Sequence, residues 1–324
     1  MSDTCSEALD FKANAPLNII MAIHVFTSVG GIIANACFVR HWEHNLFFHR
    51  NSRILVWTTV VLNILHSLFL GVLEGLHLFQ NHFLEDRCSI LVPTKFCYSM
   101  RMPALMCVAA QALVHLSIVT ERAVALKCTK TYESQKSSLG YILAVMSVSI
   151  AIGLTIYTFK DYPMTGEMSY CKVATTQTMP EVFVYSCCVL FLEIVIIASF
   201  CCVYRLNLKQ SKVYDMRCKY QAKENLTVLL LLLPLIILHS LAFSFFMANV
   251  ALAPFIENVF APSHFRAYLA GAYVIPIYTF FSPLLLWWSM DRHRSSRSQD
   301  LMRMSSRIDN ENNIYFSNYA WIKK

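Results

Sequence analysis

The chain has 324 residues, of which 56% are hydrophobic and only 15% charged, and its mean hydropathy is +0.47. Soluble domains carry about 25% charged residues, so this deficit excludes an ordinary soluble protein and points to a membrane protein. The formal net charge of +7 follows from where the basic residues fall and needs no nucleic-acid partner.

The apolar residues are gathered into seven runs: Leu17–Val39, Ile54–Phe79, Phe96–Thr120, Leu139–Phe159, Val182–Tyr204, Leu226–Leu252 and Ala267–Met290. Each is long enough to cross a ~30 Å hydrocarbon core as a helix. The expected fold is all-α, a seven-transmembrane helix bundle. Residues 1–16 form a short lead, 17–290 the membrane domain and 291–324 a tail. The segments after the odd runs, together with the tail, hold 20 of the 27 Lys and Arg. The positive-inside rule therefore expects the N-terminus outside and the C-terminus in the cytoplasm. With no cleavable signal pattern ahead of it, the first run is expected to act as its own insertion signal.

In chain order, the lead is polar and carries Cys5. The loop Arg40–Arg50 mixes basic and aromatic residues, as an interfacial collar does. The second run has Asn63 and His66 in its middle and Glu74 and His77 toward its outer end. A charged side chain costs ~2.5–3.5 kcal/mol at the bilayer centre and turns to the bundle interior. Arg101 enters the third run at a similar depth. Glu74 and Arg101 therefore suit an interhelical pair, a ligand-pocket wall, or both.

The third run opens with Cys97 and closes with Thr120-Glu121-Arg122. At about 1.5 Å per residue, Cys97 and Arg122 lie ~37 Å apart along a helix, which puts each near a membrane face. The fifth run holds one acid, Glu193, ~16 Å deep by helix rise. His239 of the sixth run, which also carries Pro234, sits at about the same level. The two read either as a neutral carboxylate bonded to a polar neighbour or as ligand contacts. The loop Arg205–Glu224 is the most basic, as positive-inside bias requires. The seventh run contains Pro276 and Pro283, either able to kink it, and Trp287-Trp288 marks its inner end. The tail reads as basic and unstructured, with serines beside arginines open to phosphorylation.

Four of the twelve cysteines, Cys5, Cys88, Cys97 and Cys171, fall on the expected outer side, and four cysteines allow three pairings. The sequence has no zinc-ligand spacing, nucleophile elbow, phosphate-binding glycine loop or dinucleotide fingerprint, so no metal, cofactor or enzymatic activity is expected. It also lacks the repeated halves of many transporters. The sequon Asn225-Leu226-Thr227 falls on the cytoplasmic side and is expected to stay unused.

Several short motifs occur in order: Cys5-Ser6-Glu7, Leu46-Phe47-Phe48-His49, Cys88, and Cys97 followed by Arg101-Met102-Pro103. After them come Thr120-Glu121-Arg122-Ala123-Val124-Ala125, Lys130-Thr131-Tyr132-Glu133, Ser169-Tyr170-Cys171 and Lys219-Tyr220-Gln221-Ala222-Lys223-Glu224-Asn225. In this order and spacing, over nearly the whole chain, they resemble the nematode serpentine chemoreceptors of class alpha/beta. That class belongs to the Sra-type superfamily of seven-transmembrane G-protein-coupled receptors.

The resemblance implies a receptor in a plasma membrane, that of a sensory cilium. Its partners would be a small odorant-like or pheromone-like molecule, a heterotrimeric G protein and membrane lipids. By the same analogy Cys97 pairs with Cys171, and Cys5 with Cys88 in a second bridge. Glu121 would hold Arg122 in the resting state, with Glu224 as a further partner. The ligand would enter the outer half between spans two, three, five, six and seven, where Glu74, Arg101, Glu193 and His239 are its polar contacts. The second span has no aspartate, and the seventh ends Ser282-Pro283-Leu284-Leu285-Leu286 without an asparagine and tyrosine. A sodium-site mechanism of the rhodopsin-like kind is therefore not expected. An odorant-gated channel and a non-signalling scaffold or trafficking protein are the alternatives. Seven-helix insect-type odorant channels keep their N-termini inside, against the charge bias here.

Overall fold

The computed structural model describes residues 9–42, 48–84, 90–127, 138–175, 177–210 and 216–322. After a short helical turn at residues 9–13 come α1 (Ala15–Trp42), α2 (Arg50–Phe83) and α3 (Thr94–Lys127). Next are α4 (Ser138–Thr158), α5 (Met179–Gln210) and α6 (Met216–Ile256), then α7 (Pro262–Ala272) and α8 (Ile275–Ile322). Among the described residues, seven spans are long and apolar enough to cross a membrane, the seventh made of α7 and the first half of α8. Helices suit this setting because each satisfies its own backbone groups where no water can.

The third helix is the axis. It packs against α2, α4, α5 and α6, while α1 closes the ring between α2 and α8. In α3, 72% of the most apolar stretch is buried, against 28% in α4, which lies at the periphery. The large apolar side chains left uncovered, such as Phe26, Val145, Phe191 and Leu241, are the surface that lipid covers in a multi-pass membrane protein.

Most helices overrun the apolar runs that announce them. A 34-residue helix such as α2 or α3 is ~51 Å long, well beyond the hydrocarbon core, so its polar ends project from it. The seventh run is broken rather than kinked. α7 stops at Ala272 and α8 starts at Ile275, which places Pro276 in a first turn where its missing N–H costs nothing. Pro283 lies inside α8, and the tail expected to be unstructured continues that helix to Ile322.

Two close approaches fix the frame. A Cβ built on Gly140 would stand 2.7 Å from the Asn51 carbonyl oxygen and 2.8 Å from its Cα, so only glycine lets α4 come this near α2. At the other end of the bundle, Val92–Pro93 (β1) pairs antiparallel with Glu167–Met168 (β2). The turn before β2 needs Gly166, whose φ of 99° is a left-handed conformation that side chains disfavour. This small ribbon lays the loop between α4 and α5 against the start of α3.

Candidate functional site

The loop is tied down by a disulfide between Cys97, in the first turn of α3, and Cys171, with Cα atoms 5.1 Å apart. Cys5 and Cys88 lie outside the described residues. One helical turn beyond Cys97, the Arg101 side chain turns back beneath the loop. Its Nε donates to the Cys171 carbonyl at 2.9 Å, and its Nη2 reaches Glu74 Oε1 at 3.1 Å and the Tyr170 hydroxyl at 3.2 Å. Tyr170 in turn donates to Glu74 at 3.1 Å, and the Cys171 N–H donates to His77 Nε2 at 3.3 Å. Burial and the neighbouring Glu74 carboxylate push the Tyr170 hydroxyl upward, which keeps it a donor. The expected pair of Glu74 and Arg101 is thus real, and it anchors a loop as well as joining two helices. Pairing is what makes two buried charges tolerable here.

Beneath this knot lies a cavity of about 120 Å³. That is roughly ten times what one water needs, and room for a small molecule. Glu74 and Arg101 both line it. Its wall also takes residues from α1, α5, α6 and α7, among them His24, Tyr185, Phe246 and Arg266. Tyr273, at the break between α7 and α8, adds an aromatic wall and accepts or donates a 2.6 Å bond with His66.

Glu193 and His239 are elsewhere. They meet each other, His239 Nε2 to Glu193 Oε1 at 3.0 Å, both fully buried, and neither lines the cavity. The His239 ring stacks on His115 with centroids 3.7 Å apart, and Tyr278 packs edge-on against it. Of the two readings open for them, the structure shows the bonded pair, which joins α5 to α6. Their shared depth was legible in the sequence. The direction each helix turns them was not.

Midway down, Gln111 donates to Asn63 at 2.8 Å and Asn63 donates to Ser282 at 2.9 Å, while Ser67 reaches Thr279 at 3.1 Å. These bonds join α3, α2 and α8 through otherwise apolar packing.

At the far end of α3, Glu121 and Arg122 form a compact buried network. Arg122 donates to both Glu121 carboxylate oxygens, Nε to Oε2 and Nη2 to Oε1, each at 2.6 Å. Ser52 of α2 bridges them, donating to Glu121 at 2.7 Å and accepting from Arg122 at 2.6 Å. The link to α6 is Asn225, not Glu224. Asn225 Oδ1 accepts from Arg122 Nη1 at 3.1 Å, and its Nδ2 donates to the Arg122 carbonyl and to Asn207 of α5. Glu224, one position earlier, is exposed. Sequence reasoning missed Ser52, Asn207 and Asn225 because neutral side chains in polar helix ends draw no notice. The signal the sequence carries is Asn225 standing next to Glu224.

Seven membrane-capable helices, a loop bonded over a cavity at one end and a carboxylate–arginine network at the other together make a seven-helix membrane receptor architecture. The chain belongs to the family described as serpentine type 7TM GPCR receptor class ab chemoreceptor, which it matches over residues 2–322. It is similar to three proteins of Caenorhabditis elegans. Against serpentine receptor class alpha/beta-14 it is 23% identical over 252 residues, covering 74% of this chain and 64%, just under two thirds, of that protein. Against serpentine receptor class beta-15 the identity is 21% over 265 residues, 81% and 78% of the two chains. Against serpentine receptor class alpha-39 it is 24% over 295 residues, 87% and 77%. The family is a receptor class rather than an enzyme class.

Proposed function

We propose that this chain is a chemosensory receptor that binds a small molecule in the cavity beneath the disulfide-tethered loop and signals to a heterotrimeric G protein at the Arg122 end. The distribution of Lys and Arg supports an orientation with the loop outside and Arg122 at the cytoplasm, in a plasma membrane. The observation that carries the reading is the division of α3. One end of a single helix holds the cavity wall, the other a buried arginine bonded to α2 and α6. A ligand that favours one arrangement of α3 and α6 over another would change the exposure of that arginine, by no more than its differential affinity for the two states.

Glu121 stabilises the resting arrangement, and Arg122 is released when α6 moves away and Asn225 with it. An agonist screen in cells carrying a G-protein-coupled reporter tests the proposal. The expected result is a ligand-dependent response that disappears when G-protein signalling is blocked. A ligand-gated current that persists under that block would assign the chain to a channel instead.

A further inference from the structure

The cavity wall has a one-sided hydrogen-bonding inventory. Most of it is apolar, with Leu105, Val182, Phe246, Met247, Val250 and Leu269 contributing. The hydroxyl hydrogens of its tyrosines and serine are committed within the protein. Tyr170 donates to Glu74, Tyr185 to the Leu105 carbonyl at 3.2 Å, and Ser186 to the Val182 carbonyl at 2.6 Å, while Tyr273 is taken up by His66. Glu74 is 1% exposed and already accepts from Arg101 and Tyr170. His24 Nδ1 has no partner among the described residues, but it is closed off from solvent.

Arg101 is different. Its Nε and Nη2 are committed to Cys171, Glu74 and Tyr170, whereas Nη1 has no acceptor among the described residues. The side chain, which lines the cavity, keeps 11% of its surface accessible, and Nη1 is not closed off from solvent. A guanidinium nitrogen carries donors only, and the same holds for Lys172 and Arg266 on the wall, whatever else they bind.

We infer that the cavity takes a small, mainly apolar molecule whose polar end is an accepting oxygen, a carbonyl or carboxylate, and that Arg101 Nη1 receives it. The inference rests on reading this cavity as the ligand site and names the ligand's chemistry. A hydrogen bond to a charged donor in a dry site favours such a ligand roughly ten- to hundred-fold over one of the same size without the acceptor. For an amine the charged acceptor on the wall is Glu74, which Arg101 and Tyr170 already engage.

The test uses full-length receptor in phosphatidylcholine nanodiscs and four probes on one eight-carbon frame: methyl hexyl ketone, octanoic acid, octylamine and octane. Thermal unfolding is followed as each is titrated, since a ligand of the folded state raises the midpoint. The ketone or the acid should bind roughly ten- to hundred-fold more tightly than the amine and the alkane. Whichever of the two binds better tells a neutral carbonyl from a carboxylate. Arg101→Lys should remove most of that preference with the Cys97–Cys171 bridge still formed. Octylamine or octane binding as well as the ketone and the acid, or no binding by any of the four, would overturn the inference. A parallel reporter assay separates it from the signalling proposal. Binding of the ketone or acid with no G-protein response would overturn signalling alone, and a response to amines alone would overturn this inference alone.

Discussion

The Nε–H of Arg101 donates to the carbonyl oxygen of Cys171 at 2.9 Å, so the residue that Cys97 holds covalently is held again from one turn further along the same helix. The two ties differ in kind. The disulfide limits how far the loop can stray, and the arginine sets which way its backbone faces. Because Arg101 also bonds Glu74, the loop, α2 and α3 are joined at one point beside the cavity.

Breaking the covalent tie should therefore loosen the loop without releasing it. The bridge joins residues 74 positions apart, and a disulfide typically contributes about 2–4 kcal/mol, more for longer loops. Cys97→Ser with Cys171→Ser should lower the unfolding midpoint measured in detergent. It should also raise proteolytic cleavage within residues 160–175, relative to the intact receptor.

Removing the carboxylate under the loop should be worse than removing both charges. Glu74→Gln leaves a buried guanidinium without its counter-ion, at a cost of about 3–5 kcal/mol. The double variant Glu74→Gln with Arg101→Gln should recover part of that loss. A double-mutant cycle on unfolding should then show a coupling of at least about 1 kcal/mol.

Hydropathy made the seven spans legible because run length is all that crossing a bilayer demands. It also placed Glu74 beside Arg101 and Glu193 beside His239, since equal depth on neighbouring helices can be counted in residues. Hydropathy does not report which side of a helix faces a cavity and which faces another helix, and that is why the sequence leaves Glu193 and His239 open between a bonded pair and ligand contacts. His115, stacked on His239, was hidden as a lone histidine in an apolar run. The helix ends were shorter on paper for a related reason. Residues such as Arg50–Ser52 and Lys223–Asn225 are helical but too polar to count toward a span. The break at Tyr273-Val274 fell just ahead of Pro276, because a proline that starts a helix and one that kinks it look alike in sequence.

The contact between α2 and α4 gives a prediction about packing alone. Gly140→Ala would drive a methyl group into Asn51 backbone atoms, which cannot rotate away, and should cost about 1–3 kcal/mol. Gly153→Ala, in the same helix with nothing within 4 Å of the new Cβ, should be neutral or gain up to about 1 kcal/mol. Unfolding midpoints of the two variants check this directly.

Asn225 and Glu224 make a matched pair for testing the proposed switch. Asn225→Ala removes buried bonds to Arg122 and Asn207 and should raise ligand-independent signalling roughly two- to ten-fold. Glu224→Ala, on an exposed neighbour, should leave it within the scatter of the assay.

The most direct test of the receptor account is the basal activity of Glu121→Gln. In the structure Glu121 accepts two hydrogen bonds from Arg122 and one from Ser52. Neutralising it weakens the hold on that arginine while keeping the side chain's shape. With receptor at the cell surface matched to the unmutated protein, G-protein reporter output in the absence of ligand should rise several-fold. Output unchanged from the unmutated receptor would contradict the account, because Arg122 would then be held at rest by something other than its neighbour.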